Sequence, residues 1–268
     1  MKTIFITGAS TGLGNSTAHL FAARGWHVIA TMRHPEHETE LRTLENVSLL
    51  PLDVTDEEAI QKAVEAAVAI SPVDVVFNNA GYGLVGPLEG LSHDQITRQF
   101  NTNVLGAIFV TQAFLPHLRE KQSGLILNTT SIGGLVTFPL SSIYHATKWA
   151  LEGWSESMSF ELGLHGIRIK TISPGGIATD FMGRSLDAAQ HDAYAPLFEK
   201  LMGGFSSGES TLQFSPPETI AEVVYEAATD GKDQLRYLAG PDAVATYAQR
   251  LKVGPEPFRQ GVAAQFGV

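Results

Sequence analysis

Thr3-Ile4-Phe5-Ile6-Thr7-Gly8-Ala9-Ser10-Thr11-Gly12-Leu13-Gly14 decides how the rest of the chain is read. A short run that is apolar on both faces stops at glycine, and a helical pattern over 14–24 starts where the glycines end. A strand buried on both faces belongs in a parallel sheet covered by helices. Gly8, Gly12 and Gly14 allow a tight turn and a close approach of ligand to backbone. The free amides and the positive end of the helix then favour a pyrophosphate. The spacing is G-x-x-x-G-x-G rather than the common G-x-G-x-x-G, and a glycine turn also serves plain turn geometry. The same letters hold Gly8-Ala9-Ser10-Thr11-Gly12, the G-x-S-x-G of a hydrolase nucleophile elbow. That elbow needs an oxyanion donor from the loop of an earlier strand, and only one strand precedes Ser10. A second match, Gly204-Phe205-Ser206-Ser207-Gly208, follows no strand and reads as loop composition. The phosphate cradle is the preferred reading.

Outward from this turn, strand patterns fall at Thr3–Thr7, His27–Met32, Val47–Leu52, Val73–Asn78, Gly124–Thr129 and Arg168–Ser173, with a weaker one at Arg236–Ala239. Helical patterns lie around Gly14–Arg24, Asp56–Ala69, His93–Leu118, Ser142–Leu164 and Pro217–Ala228. The alternation predicts an α/β fold: a Rossmann-type doubly wound parallel sheet with helices on both faces. Asp56 is placed to cap its helix, with Glu57 and Glu58 in the first turn, and Gly25 follows a helix end. No linker or repeat divides the chain, so residues 1–268 read as a single domain. The stretch 177–217 is expected to be irregular and to form a substrate lid.

Composition excludes several classes. A formal net charge of -10 argues against nucleic acid and anionic membrane as partners. The absence of cysteine removes disulfides, thiolate catalysis and cysteine-bound metal, and suits a reducing compartment. No stretch approaches the roughly 18 to 20 apolar residues of a membrane span, and the N-terminus lacks the pattern of a secretory signal. A cytoplasmic location is expected. His34-Pro35-Glu36-His37 has metal-like letters, but proline interrupts the helix and no third ligand stands nearby, so no metal is expected.

Ser142-Ile143-Tyr144-His145-Ala146-Thr147-Lys148 places a phenol and an ammonium four residues apart, on one helix face. An unperturbed tyrosine has a pKa of about 10, and a neighbouring ammonium is expected to lower it towards working pH. Ser131 stands thirteen residues before Tyr144 at the end of a strand pattern, where a strand–loop–helix return can bring its hydroxyl beside the phenol. Each residue alone has a plainer reading: Tyr144 as a packed aromatic, Lys148 as a solvated helix residue, Asp53 as a turn cap and Asn103 as a local backbone partner that bends its helix. His145 points off the Tyr–Lys face.

In order along the chain stand T-G-A-S-T-G-L-G, L-D-V, N-N-A-G, N-V-L-G, a serine before Y-x-x-x-K, and S-P-G-G-I-A-T. Together these resemble the short-chain dehydrogenase/reductase family from Thr3 to about Thr179. The resemblance implies a dinucleotide turn of Thr7, Gly8, Gly12 and Gly14, with Ser10 and Leu13 near phosphate and ribose. It implies Asp53, next to Val54, at the adenine edge, and Asn79, Ala80 and Gly81 over the adenosine ribose. Ser131, Tyr144 and Lys148 would form the catalytic group, Tyr144 and Lys148 also touching cofactor, with Asn103 completing a proton relay. Asn101 has a similar claim, and the fit to N-x-x-G selects Asn103. Pro174, Gly175, Ile177 and Thr179 would lie beside the nicotinamide.

The second strand ends at Met32 and Arg33, where members of the family that prefer NAD commonly carry an acid. A guanidinium binds a 2'-phosphate in a forked geometry, so NADP(H) is expected as the preferred cofactor through Arg33, with His34 beside it. Thr11 stands where a second basic residue often occurs, which leaves NAD(H) acceptable too. Phe181, Met182, Phe198, Leu201, Met202 and Phe205 give the lid an apolar character similar to the steroid and retinol dehydrogenase branch, unless they only pack the lid on its own domain. The expected function is NADP(H)-dependent interconversion of a hydrophobic alcohol and its carbonyl. The alternatives are a nucleotide-sensing or structural protein of the same fold and a sugar-nucleotide epimerase or dehydratase. The helices near 93–118 and 142–164 are expected to join copies into a homodimer or homotetramer.

Overall fold

Seven parallel strands form the central sheet in the order β3-β2-β1-β4-β6-β7-β9. They are β1 (Thr3–Thr7), β2 (His27–Met32), β3 (Val47–Pro51), β4 (Val75–Asn78), β6 (Gly124–Thr129), β7 (Ile167–Pro174) and β9 (Arg236–Ala239). Two short strands, β5 (Gly83–Val85) and β8 (Leu186–Ala188), pair separately. The structure is a computed structural model that describes residues 1–178, 186–207 and 214–268, apart from the side chains of 202 and 204–207. The chain winds outward from β1 in both directions, β2 on one side and β4 on the other. Ligands of such sheets bind at this switch point, beyond the carboxyl ends of the strands.

Alternation along β1 sorts its side chains into two cores. Ile4 and Ile6 pack with Phe21, Trp26, Ala221 and Val224, under α1 (Gly12–Ala23) and α7 (Pro217–Thr229). Phe5 packs on the other face with Val64, Phe114, Leu118 and Leu162, under α2 (Glu57–Ile70), α4 (Gly106–Lys121) and α5 (Ser142–Gly163). Phe5 and Phe114 meet edge-on with ring centroids 4.8 Å apart. Each such fully buried side chain contributes roughly 1.5–3 kcal/mol. The Asp56 side chain accepts from the amides of Glu58 and Ala59 at 2.9 and 3.1 Å, capping α2 as its position suggested. Gly25 has φ +76°, the left-handed geometry expected just past α1.

Two expectations are corrected. The helix predicted over 93–118 is two helices, α3 (His93–Phe100) and α4, joined by a wide π-type turn at Asn101–Leu105. Apolar periodicity runs through the turn, so spacing alone cannot show it. The stretch expected to be irregular, 177–217, holds β8 and a helix, α6 (Ala195–Ser207). Three-residue strands leave no periodic signal, and β8 exists because it pairs with β5. Asp187 of β8 is held by Arg98 and by Gln95 Nε2 at 2.9 Å, both on α3. The chain closes with α8 (Pro241–Val253) and α9 (Pro255–Phe266), which the sequence patterns did not single out.

Candidate active site

At the carboxyl end of β1 the glycine turn folds against the end of β4. Thr7 is buried, and its hydroxyl accepts from the amides of Asn79 and Ala80 at 2.9 and 3.0 Å. Asn79 returns two bonds, its side-chain amide donating to the carbonyls of Thr7 and Gly8 at 3.1 and 3.2 Å. Thr7 and Asn79 therefore act as a staple between the two turns. Gly8 has φ +67°, and a Cβ there would lie 2.9 Å from Ala80 Cα. Gly14 has no room for a Cβ either, blocked by Gly8 O and the Asn79 amide. Ser10 is exposed at the tip of the turn, while Leu13 is buried in the core. Thr11 precedes helix α1 without capping it through its side chain, and the first turn of the helix holds no acid. Its first amides are thus open to an anion, which fits a pyrophosphate.

Ser131, Tyr144, Lys148 and Asn103 are brought together at the adjoining ends of β6 and α5. Ser131 is buried, its hydroxyl accepts from Gly133 N at 3.0 Å, and it stands on the side of the Tyr144 phenol, where it favours the phenolate. Lys148 is buried on the same face of α5, and its Nζ lies 5.7 Å from the Tyr144 ring centroid. That Nζ donates to Thr129 O at 2.9 Å. Asn103 lies in the π-type turn, where its side chain accepts from Tyr82 N at 3.0 Å and donates to Tyr82 O at 2.9 Å. A longer bond of 3.4 Å joins it to the hydroxyl of Thr147, the neighbour of Lys148.

The electrostatics differ from the expectation. Burial raises the Tyr144 phenol above its ordinary pKa, and the Ser131 hydroxyl only opposes this. Burial also lowers Lys148, to about 8, against the pull of the Glu152 carboxylate. Desolvation disfavours the charged form of both groups and is the larger influence on each.

His145 has a role that sequence reading missed. Its Nε2 accepts from Phe138 N at 3.0 Å, so Nδ1 carries the proton and donates to Gly133 O at 2.8 Å. Burial lowers its pKa and keeps it neutral. The ring thus clamps the loop carrying Ser131 onto the helix carrying Tyr144. Its place beside Tyr144 was the only hint.

The remaining candidates surround this group. Arg33 is exposed at the tip of β2 and has no ion-pair partner among the described residues, while His34 bonds instead to Glu36 at 3.1 Å. Asp53 Oδ1 accepts from the amide and hydroxyl of Thr55 at 2.9 and 2.7 Å, so the turn-cap reading holds for that oxygen. Val54 is buried and sits where a Cβ on Gly106 would strike its side chain at 2.8 Å. Gly81 is exposed, and Ala80 is half-buried. Pro174 ends β7, and Gly175 and Ile177 follow in a turn held by Asp242, which accepts from Gly176 N at 2.7 Å. Ile177 bridges Ser215. Asp242 is a second residue the sequence did not expose, since it comes from beyond β9. Thr179, Phe181 and Met182 lie outside the described residues, as do the side chains of Met202 and Phe205; Leu201 is buried and Phe198 half-buried.

Residues 2–190 match the sequence model of the short chain dehydrogenases. The chain belongs to that family. It is therefore an oxidoreductase on the Rossmann-type sheet described above. An oxidoreductase of Schizosaccharomyces pombe is 40% identical over 238 residues, covering 88% of this chain and 100% of its own. A 3-ketodihydrosphingosine reductase of Bacteroides thetaiotaomicron is 35% identical over 199 residues, with 73% and 72% covered. Among solved structures, a short-chain dehydrogenase from Streptomyces avermitilis superposes with a TM-score of 0.86 at 32% identity, covering 99% of this chain and 98% of that one. ElxO, solved with NADP bound, gives a TM-score of 0.74 at 28% identity over 92% and 99%. This short-chain dehydrogenase has, among its described residues, no helix long and apolar enough to cross a membrane.

Proposed function

We propose that this short-chain dehydrogenase moves a hydride between NADP(H) and the alcohol or carbonyl group of an apolar substrate, with Tyr144 as general acid and base. The observation that carries this is the meeting of Ser131, Tyr144 and Lys148 at the carboxyl end of the sheet, beside the glycine cradle. Bound nicotinamide supplies the hydride in reduction and accepts it in oxidation. Ser131, with one lone pair engaged by Gly133 N, keeps its proton to donate to the substrate oxygen. Tyr144 gives its proton to that oxygen in reduction, and burial keeps the phenol protonated for that task. In oxidation it takes the proton back, with the Ser131 hydroxyl and the Lys148 ammonium favouring the phenolate. Lys148 spends one N–H on Thr129 O and retains two for the phenol side and ribose hydroxyls. Asn103 holds the π-type turn against the helix that carries Tyr144 and Lys148, the position from which it would join a proton relay.

Arg33, exposed and unpaired among the described residues, fits a 2'-phosphate, and the NADP held by ElxO supports the same preference. Thr11 leaves NAD(H) acceptable. Phe198, Leu201 and the likeness to a 3-ketodihydrosphingosine reductase support an apolar substrate. Exposed Trp149 and Phe160 on α5, with Leu164 just past its end, support a homo-oligomer joined through that helix. An NADPH-oxidation screen against ketones and aldehydes, with Tyr144→Phe as control, tests the reading. Turnover in the parent and a loss of about 10²- to 10⁴-fold in the variant are expected. Substantial turnover surviving in Tyr144→Phe would sink the mechanism. Tight NADPH binding without turnover across the panel would favour the nucleotide-sensing reading instead.

A further inference from the structure

Helix α5 carries a third polar group beyond Tyr144 and Lys148. Glu152 follows Lys148 by four residues, as Lys148 follows Tyr144, so the three stand on successive turns of one stripe. Glu152 is only 4% exposed, a place a carboxylate takes only with partners. Those partners lie on β7 and β9. Ser173 donates to Oε1 at 3.0 Å, Thr171 to Oε2 at 3.3 Å, and Arg236 Nε to Oε2 at 2.9 Å. The Ser131 loop closes over the same stretch of helix: a Cβ on Gly134 would meet Lys148 O at 2.9 Å and Glu152 Cγ at 3.0 Å.

The other charged and titratable groups around Lys148 are few. On α5, Tyr144 faces the ammonium and neutral His145 is turned to Gly133 and Phe138. The end of β6 offers only Thr129 O and the Ser131 hydroxyl, and the π-type turn only Asn103, through Thr147. On β7 Thr171 and Ser173 face Glu152, whereas Lys170 is bonded to Asp230 on the far face. Arg236 stands behind Glu152, and Asp242 is engaged by Gly176. Among these groups Glu152 is the charge that acts on Lys148, against its desolvation.

We infer that Glu152, clasped by Arg236, is a positioning residue that sets how firmly Lys148 keeps its proton while Tyr144 works. The inference rests on the proposed roles of Tyr144 and Lys148. A carboxylate one turn away favours the ammonium, so neutralising it leaves desolvation unopposed. Removing Arg236 does the reverse, because the Glu152 charge is no longer shared with a second cation. A purely structural role predicts damage of one sign for both changes; this role predicts opposite signs.

The experiment compares the parent, Glu152→Gln and Arg236→Gln. It reads the alkaline limb of kcat/KM for NADPH-dependent turnover and the titration midpoint of the Lys148 Nζ by 15N NMR, the signal being assigned by its loss in Lys148→Met. Both should move down by about one pH unit in Glu152→Gln and up in Arg236→Gln. Unmoved midpoints, or shifts of one sign in both variants, overturn the inference. If Glu152→Gln does not fold, Arg236→Gln decides alone, and a midpoint that fails to rise overturns it. Absence of turnover in the parent would defeat the proposed function while the Nζ titration still decided this one. Turnover abolished by Tyr144→Phe with unmoved Nζ midpoints would defeat this one only.

Discussion

Arg33 shows how much a single side chain at a strand tip can decide. Its guanidinium is exposed beyond the buried Met32 and meets no acid among the described residues. Charge-assisted hydrogen bonds are worth about 1.5–3 kcal/mol. Arg33→Asp should therefore lower the NADP-to-NAD ratio of kcat/KM by about ten- to a hundredfold, read in parallel assays with the two cofactors. An unchanged ratio would remove Arg33 as the discriminator. Thr7 makes the opposite point, because it lies in the motif yet its hydroxyl is committed to Asn79 and Ala80. Its contribution to a cofactor site is the shape of the turn.

Secondary-structure elements place these side chains, and their ends matter more than their middles. Helix α2 is anchored by Asp56, one oxygen of which satisfies two otherwise orphan amides. Asp56→Ala should cost about 1 kcal/mol, seen as a lower urea midpoint with unchanged slope. An unchanged midpoint would mean that water caps the helix equally well. The π-type turn has a different function. It carries Asn103 inward, where the side chain satisfies both backbone groups of Tyr82. Such bulges persist where a site needs a side chain displaced from regular helical register.

At the scale of the whole molecule, the sheet edge beyond β7 is tied by a buried ion pair. Lys170 Nζ donates to Asp230 Oδ1 at 2.7 Å, Ala227 O at 2.9 Å and Tyr237 Oη at 2.9 Å, and Tyr237 donates to Asp230 Oδ2 at 2.6 Å. Burial by itself would raise the Asp230 carboxyl, but the bonds from Lys170, Tyr237 and Lys232 N outweigh it and hold the group at about 2. A carboxyl depressed in the folded state stabilises above its unfolded pKa of about 4, and loses that contribution as pH falls through about 2. Asp230→Ala leaves the Lys170 ammonium buried without its counter-charge and should cost about 3 kcal/mol near neutrality. Urea midpoints of parent and variant should converge as the pH falls from 4 to 2. A gap that stays constant over that range would refute the linkage.

The strand–turn–helix opening, the alternation that predicts a parallel sheet and the Y-x-x-x-K spacing were legible in the linear chain, because each depends on local periodicity or on residues a few positions apart. All seven expected strand patterns lie on the observed strands to within two residues at each end, and even Arg236–Ala239, the weaker one, coincides with β9. Sequence alone therefore determined the strands of the central sheet, most of the helices that cover it and which side chains share a helix face, but not the pairing of β5 with β8, the π-type turn, or α6, α8 and α9. Tertiary structure decided the rest. Only the packed chain brings Asp242 from beyond β9 to the turn after β7, and Arg236 from β9 to Glu152 on α5. Only burial reverses the expected shift of Tyr144 and brings Lys148 down to about 8, because desolvation is set by the surroundings of a group rather than by its neighbours in sequence.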